Sequence, residues 1–147
     1  MKVCIVQNNV LGTKLETFER IKSILPNSIL SNTNILVLPE CFCIPYELKE
    51  FKYNSEELKE GNLIFNFLKN LSLKYPELYI VGGTLIEKVE EKYYNTCPVF
   101  YNGELIDKYS KINLFDINFN SSSGRIKYYE SEVLSRGNKP TIIDTKF

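Results

Sequence analysis

Short uninterrupted apolar runs alternate with longer amphipathic stretches in the first half of the chain. Runs of this kind are typical of strands that are covered on both faces of a parallel sheet. Three of them predict strands, over residues 3–7, 35–38 and 78–81. The alternation favours a layered α/β fold over a helical bundle or an all-β sandwich.

Two amphipathic stretches separate these strands. Thr13 and Glu16 have the spacing of a capping box, so a helix is predicted to begin there and to break at Pro26. Apolar positions three and four residues apart predict a second helix over residues 64–75. Residues 27–34, between the first helix and the second strand, are mostly polar and predict turns.

The pattern changes to a hairpin after the third strand. Asn102-Gly103 is the strongest short hairpin motif, and it predicts a tight turn between strands over residues 93–101 and 104–109. Residues 120–124 predict a polar loop, and residues 140–145 predict a final strand. We find no internal repeat and no linker, so residues 1–147 are expected to form one structural unit.

Composition narrows the function classes. The chain has 147 residues, 44% of them apolar, with 18 basic and 18 acidic residues. Because the charges are scattered, neither a nucleic-acid surface nor an anionic-membrane surface is predicted. No apolar run approaches the roughly 20 residues that span a bilayer. The first apolar run is too short for a signal peptide, so we expect a cytoplasmic protein, with an organelle as the open alternative.

The chain contains no histidine. Ser-His-Asp, Cys-His and His-containing zinc sites are therefore excluded within it, and acid–base work falls to Glu, Asp, Lys, Tyr or Cys. Four cysteines are present and are expected to be reduced thiols: Cys4, Cys41, Cys43 and Cys97. They lack the ligand count of a zinc site, and we expect no metal or organic cofactor.

Three charged residues are candidates for chemistry. Glu40 follows the second strand at its carboxyl end, where α/β sheets build their sites, and desolvation there would raise its pKa towards that of a useful base. Lys111 follows the hairpin and can stabilise an oxyanion. Each also fits a plain surface role: a loop acid or helix cap for Glu40, a solvated strand-end lysine for Lys111, and a surface acid for Glu130.

The order of the motifs resembles the nitrilase (carbon–nitrogen hydrolase) superfamily. Matching blocks cover essentially the whole chain: Leu36-Val37-Leu38-Pro39-Glu40-Cys41-Phe42, Pro45-Tyr46, Tyr79-Ile80-Val81-Gly82-Gly83-Thr84, Tyr94-Asn95-Thr96-Cys97, Asn102-Gly103, Lys108-Tyr109-Ser110-Lys111-Ile112-Asn113-Leu114-Phe115-Asp116, Tyr129-Glu130-Ser131 and Leu134-Ser135-Arg136-Gly137. The block from Lys111 to Asp116 is the most specific. The position of Pro45-Tyr46 is typical of the omega-amidase branch.

The resemblance implies a Cys-Glu-Lys amidase that cleaves the terminal amide of a small dicarboxylic acid monoamide. Glu40 matches the general base, Lys111 matches the lysine that holds the tetrahedral oxyanion, and Glu130 matches a glutamate that orients lysine and substrate. Tyr46 matches a pocket position and is expected to contact the substrate. The implied fold is the N-terminal half of the four-layer α-β-β-α sandwich, commonly a homodimer in the complete protein.

The nucleophile is the part of this pattern that the chain does not supply. In the family it follows a strand matching residues 140–145, so we expect it beyond Phe147 and expect the chain alone to be inactive and poorly soluble. Two alternatives stay open. One is a non-catalytic nitrilase-fold protein that binds a partner; the other is a different branch, such as a nitrilase proper or a ureide hydrolase.

Overall fold

Eight strands, four α-helices and one 3₁₀ turn form the part of the chain described by the computed structural model, residues 1–10, 12–122 and 124–147. The strands are β1 (Val3–Ile5), β2 (Ile35–Val37), β3 (Tyr79–Val81), β4 (Leu85–Val89), β5 (Lys92–Tyr101), β6 (Glu104–Ser110), β7 (Asp116–Ser121) and β8 (Gly124–Tyr129). The helices are α1 (Lys14–Ile24), α2 (Asn27–Leu30), α3 (Leu48–Asn54) and α4 (Leu63–Lys74), and the 3₁₀ turn is Glu130–Glu132.

The predicted alternation of strands and helices builds the main sheet. Strands β1, β2 and β3 are parallel neighbours in that order, and β5 joins β3 in the antiparallel direction. Strand β6 pairs with the other edge of β5. The predicted Asn102-Gly103 hairpin is therefore confirmed, and it joins the parallel part of the sheet through β5.

Strand β5 has two partners along one edge, because β3 pairs with its end and β4 with its beginning. Pro98 lies where the partner changes, and its carbonyl accepts a 2.8 Å hydrogen bond from the Gly82 N–H. The N and O of one strand residue point to the same side, so the missing N–H of Pro98 faces this turn rather than β6. A proline in the middle of a sheet thus breaks no ladder bond with β6.

Helices α1 and α4 pack an aromatic core against the sheet. Thr13 caps α1 with the predicted capping box, which includes the Glu16 side chain. Phe18 of α1 stacks on Phe67 of α4 with ring centroids 4.2 Å apart. The core continues through Leu36 of the sheet, which is fully buried. Burying such side chains contributes about 1.5–3 kcal/mol each and fixes the helices on one face.

Strand β1 shows that the two faces of the sheet differ. Cys4 packs towards the core, whereas its neighbours Val3 and Ile5 are 48% and 70% exposed.

Among the described residues no helix is both long enough and apolar enough to cross a membrane.

Three predictions for local structure need correction. Residues 27–34 are not all turns, because Pro26 starts the short helix α2 and Leu30 is buried in the core. Residues 120–124 are not simply a loop: Asn120 and Ser121 end β7 and Gly124 begins β8, while Ser123 lies outside the described residues. The hairpin continues this far because Phe119 and Ile126 pair across it.

The predicted final strand is the third correction. Residues 138–147 are all described, and none of them belongs to a strand. Pro140 has no N–H to donate, and the neighbouring residue meets β6 through its side chain: the Thr141 hydroxyl donates to the Lys108 carbonyl at 2.8 Å. A side-chain bond of this kind occupies the carbonyl that a ladder would need.

Candidate active site

Glu40 lies at the carboxyl end of β2, in a turn that holds it tightly. The next residue, Cys41, has a left-handed φ of 48°, and its N–H donates to the Thr84 hydroxyl at 2.8 Å. A left-handed non-glycine residue is uncommon and marks a strained turn. The chain therefore bends sharply immediately after the predicted base.

The turn between β3 and β4 packs against the backbone that precedes this bend. Gly83 has a φ of +61°, and a Cβ atom there would lie 2.2 Å from the Pro39 carbonyl oxygen. Only glycine permits both the conformation and the approach. The position of Glu40 is thus set by two neighbouring strand ends.

The Glu40 carboxylate receives two donors at the same oxygen. Asn95 Nδ2 lies 2.6 Å from Oε1, and Lys111 Nζ lies 3.0 Å from it. The side chain is 46% exposed, so the expectation of a desolvated carboxylate is wrong for this chain. Part of the Glu40 side chain is therefore open to solvent.

Lys111 follows β6 and is anchored through its backbone. Its N–H donates to the Asn95 carbonyl at 2.8 Å, and its own carbonyl accepts from the Gly137 N–H at 2.9 Å. A Cβ atom at Gly137 would lie 2.0 Å from the Ser110 carbonyl oxygen, so only glycine fits this approach. The segment after the 3₁₀ turn therefore clamps the lysine backbone.

The Lys111 ammonium lies between two carboxylates. Glu130 Oε2 is 3.1 Å from Nζ, and Glu40 Oε1 is 3.0 Å from it. Burial acts to lower the pKa of Lys111, but the hydrogen bonds and charges of Glu40 and Glu130 outweigh it and raise the pKa above its usual value. The lysine is held as a cation.

Glu130 is fully buried and fully engaged. Besides Lys111, it accepts the Phe115 N–H at 2.6 Å and the Tyr46 hydroxyl at 2.5 Å. A buried carboxylate is tolerated only when it is paired and hydrogen-bonded, and these three donors meet that need. Asp116, beside Phe115, accepts the Ser131 N–H at 3.0 Å, so the ends of the β7–β8 hairpin are tied together under Glu130.

Tyr46 links this carboxylate to an aromatic wall. Its ring stacks on Tyr128 of β8 with centroids 5.8 Å apart and meets Phe51 of α3 edge-on. Burial, followed by the hydrogen bond to Glu130, raises the Tyr46 pKa, so the hydroxyl remains a donor. Contact between Tyr46 and a substrate stays a prediction, because the hydroxyl is engaged with Glu130.

The four predicted site residues are therefore brought together from distant parts of the chain. Glu40, Lys111, Glu130 and Tyr46 form one connected network of hydrogen bonds. An accessible carboxylate next to a fixed ammonium can accept a proton while the ammonium stabilises a developing negative charge. This is the chemistry of acyl transfer, with the nucleophile still to be supplied.

The cysteines of the chain are poorly suited to that task. Burial raises the pKa of Cys41 to about 12 and that of Cys97 to about 11, and it raises the pKa of Cys43 as well. A thiol is nucleophilic only as the thiolate, which is scarce at neutral pH under these conditions. Within residues 1–10, 12–122 and 124–147, no cluster of three cysteine or acidic side chains is arranged to hold a metal ion.

Sequence reasoning missed two contacts of the site. The role of Asn95, which donates to Glu40, lay inside the quoted Tyr94–Cys97 motif without being recognised. Tyr128 was not considered, although it stacks on Tyr46. The missing information was the antiparallel pairing of β3 with β5, which brings β5 beside the strands that lead to Glu40.

Comparisons with known proteins match the chain to one family. The family model for carbon-nitrogen hydrolases matches residues 2–147. Omega-amidase NIT3 of Saccharomyces cerevisiae is 36% identical over 155 residues, which cover 100% of this chain and 52% of that protein. The chloroplastic omega-amidase of Arabidopsis thaliana is 34% identical over 142 residues, which cover 95% of this chain and 38% of that protein.

A solved structure gives the same result for the fold. The crystal structure of Saccharomyces cerevisiae Nit3, a member of branch 10 of the nitrilase superfamily, superposes with a TM-score of 0.79 at 33% identity. The match covers 100% of this chain and 52% of that one. The predicted α/β class, corresponding to about half of a nitrilase-type sandwich, is confirmed. The chain spans about half the length of this relative.

Proposed function

Because this chain belongs to the carbon–nitrogen hydrolase family, we propose that the protein cleaves the terminal amide of a small dicarboxylic acid monoamide. Residues 1–147 form an incomplete carbon–nitrogen hydrolase domain that supplies Glu40, Lys111 and Glu130. The observation that carries the proposal is the Lys111 ammonium, which lies 3.0 Å from Glu40 and 3.1 Å from Glu130. Relatives named omega-amidases, at 34–36% identity, support the substrate class.

In the first half of the reaction Glu40 is the general base. It removes the proton from a cysteine thiol, and the thiolate attacks the amide carbonyl carbon to form a C–S bond. The carbonyl oxygen becomes an oxyanion, which the Lys111 ammonium stabilises. Glu130 holds the Lys111 ammonium in place throughout the reaction.

In the second half the same carboxyl group acts as an acid and then again as a base. The tetrahedral intermediate collapses, the C–N bond breaks, and Glu40 passes its proton to the departing ammonia. Glu40 then takes a proton from water, whose oxygen attacks the thioester carbonyl. The C–S bond breaks, Glu40 gives the proton from water to the departing thiolate, and the dicarboxylic acid is released.

The nucleophilic thiol is proposed to come from sequence beyond residue 147. Within the chain, Cys41 is the cysteine nearest Glu40 in sequence, but its thiol is buried and its pKa is raised to about 12. Burial likewise raises the pKa of the Cys97 thiol, to about 11. Neither thiol supplies enough thiolate for the attack.

The remaining proposals concern the oligomeric state, cofactor, location and partners of the complete protein. We expect a homodimer that needs no cofactor, acts in the cytoplasm, and binds neither nucleic acid nor membrane. The plant relative is named as chloroplastic, so an organelle is the alternative location. Size-exclusion chromatography with light scattering and fractionation of cells would test the oligomer and the compartment.

The experiment for the proposed function is ammonia release by the full-length protein. A series of dicarboxylic acid monoamides of increasing length, including succinamate and glutaramate, is compared with a nitrile and a ureide. Hydrolysis of the monoamides in preference to the other two supports the omega-amidase assignment. Preference for the nitrile or the ureide would move the protein to another branch of the family.

The alternative is a non-catalytic nitrilase-fold module that binds a partner. The observation that favours it is the exposed apolar edge strand, where Val3 and Ile5 are 48% and 70% exposed. Apolar surface of this kind commonly marks an interface. A full-length protein that folds normally and releases no ammonia from any of these substrates would support this reading.

A further inference from the structure

Asn95 touches both members of the central ion pair. It lies in β5 and is only 1% exposed, and its Nδ2 donates to Glu40 Oε1 at 2.6 Å. The orientation of this amide follows from chemistry, because an ionised carboxylate can only accept a hydrogen bond. The buried side chain is therefore aimed at the base through its donor end.

The backbone of the same residue holds the lysine. The Asn95 carbonyl accepts the Lys111 N–H at 2.8 Å, where β5 passes the end of β6. One residue thus fixes the base through its side chain and the oxyanion-binding lysine through its main chain. Lys111 Nζ lies 3.0 Å from the same Glu40 oxygen that accepts the Asn95 side chain.

The geometry points to Asn95 as a positioning residue that holds the exposed Glu40 carboxylate for proton transfer, an inference that rests on the proposed function. Lys111 is shared with Glu130 and is called on to bind the oxyanion during the reaction. Asn95 is neutral and buried, so it can keep Glu40 oriented through that step without adding charge. The titratable groups coupled to Glu40 from the other elements are Lys111, Tyr46 and Tyr128, and Glu130 shares Lys111 with it.

The test compares two variants of Asn95 in the full-length protein, assayed for ammonia release across pH. Asn95→Ala removes the donor, and we expect kcat to fall about ten- to a hundredfold, the range for a lost hydrogen bond to a charged group, with little change in KM. The acid limb of the rate profile should move to higher pH, because a base that loses a donor holds its proton more tightly. Asn95→Asp should move it further, since two carboxylates at this distance share a proton.

The acid limb of Asn95→Ala separates positioning from packing. A purely structural role would lower the melting temperature of Asn95→Ala and leave its acid limb in place. That result would overturn the inference. If Asn95→Ala is unfolded by circular dichroism, Asn95→Leu, which keeps the side-chain volume and removes the donor, carries the same pH comparison.

The matched control lies next along the strand. The Thr96 hydroxyl is buried on the opposite face of β5 and lies 3.1 Å from the Ser110 hydroxyl, so Thr96→Val removes a buried hydrogen bond outside the Glu40 contact. It should lower the melting temperature and leave the acid limb unmoved.

An active wild-type protein with unshifted Asn95 variants rejects this inference alone. A wild-type protein that hydrolyses no amide rejects the proposed function instead.

Discussion

Lys111 Nζ lies 3.0 Å from Glu40 Oε1 although 71 residues separate the two positions along the chain. The sheet accounts for the distance. Glu40 leaves the end of β2, Lys111 leaves the end of β6, and the pairing of β2 with β3, β3 with β5 and β5 with β6 aligns those ends. The pair is therefore set by strand register, and changes that displace a strand end should separate it.

Removing either charge of the pair should stop the reaction. We expect Glu40→Gln to lower turnover in the full-length protein by about 10²–10⁴-fold through loss of the base. Lys111→Ala should lower it by about 10²–10³-fold through loss of oxyanion stabilisation. Both should retain the wild-type circular dichroism spectrum. The control is Glu19→Gln, which breaks an exposed ion pair with Lys22 and should change neither quantity. Near-normal turnover in Glu40→Gln or Lys111→Ala would remove that residue from the mechanism.

The Tyr46→Phe variant tests the role of the Tyr46 hydroxyl separately from that of its ring. The variant loses the donor to buried Glu130 and keeps the stack on Tyr128, so we expect kcat to fall about tenfold with the fold retained. The matched control is Tyr53→Phe, because Tyr53 is 87% exposed. Steady-state kinetics on both variants is the measurement. A change confined to KM would instead indicate direct contact between the Tyr46 hydroxyl and the substrate.

Alanine variants of Gly83 and Gly61 distinguish the energetic cost of a positive φ from that of steric crowding. Both have positive φ, but a Cβ at Gly83 would meet the Pro39 carbonyl oxygen at 2.2 Å, whereas nothing lies within 4 Å at Gly61. Gly61→Ala should cost about 1–2 kcal/mol of unfolding free energy. Gly83→Ala should cost about 1–3 kcal/mol more, the usual penalty of overpacking, and should lower turnover because Glu40 follows Pro39. Urea unfolding of the full-length variants is the measurement; equal losses would argue against the crowding.

Cys41→Ala tests the assignment of the nucleophile to another cysteine. Burial raises the Cys41 pKa to about 12, so its thiol is expected to be a spectator and turnover should stay within a few-fold of the wild type. Cys97→Ala, at a thiol whose pKa is about 11, should behave in the same way. Loss of activity to the level of Glu40→Gln would make Cys41 the nucleophile after all.

The raised pKa of Lys111 predicts a stability effect at high pH. A lysine whose pKa is higher in the folded state contributes its full stabilisation below the unfolded value, about 10.4, and loses it as the pH rises through the folded value. We expect the Lys111 resonance in ¹³C-labelled full-length protein to titrate above about 10.4. A midpoint below that value would show that burial outweighs the two glutamates.

The elements that the sequence predicted are those with a clear apolar pattern or with recognisable capping and turn residues at their ends. The capping box at Thr13 and Glu16 and the turn at Asn102-Gly103 were both read from local chemistry alone. Helix α3 was missed because Phe51 is its one buried residue, which leaves no periodicity to detect. Strand β4 was missed because its apolar start is followed by Glu87, which is buried against Lys108 of β6.

The candidate site was recognised by family resemblance rather than by spacing. Singly, the positions of Glu40 and Lys111 favoured surface roles, and only the order of the motifs joined them. The hydrogen bond from Asn95 to Glu40 depends on the pairing of β2 with β3 and of β3 with β5, which no local pattern encodes. The exposure of Glu40 was predicted wrongly because a buried strand does not fix the burial of the residue that follows it.

The β7–β8 hairpin is closed at its base by Phe115 bonding to Glu130 and Asp116 bonding to Ser131. Its outer part can therefore gain or lose pairs of residues without displacing the charged groups below, so natural variants of different hairpin length can share one chemistry. The same property suits protein engineering. A fluorophore or affinity tag inserted past Asn120 would report on the neighbourhood of the site while leaving turnover intact.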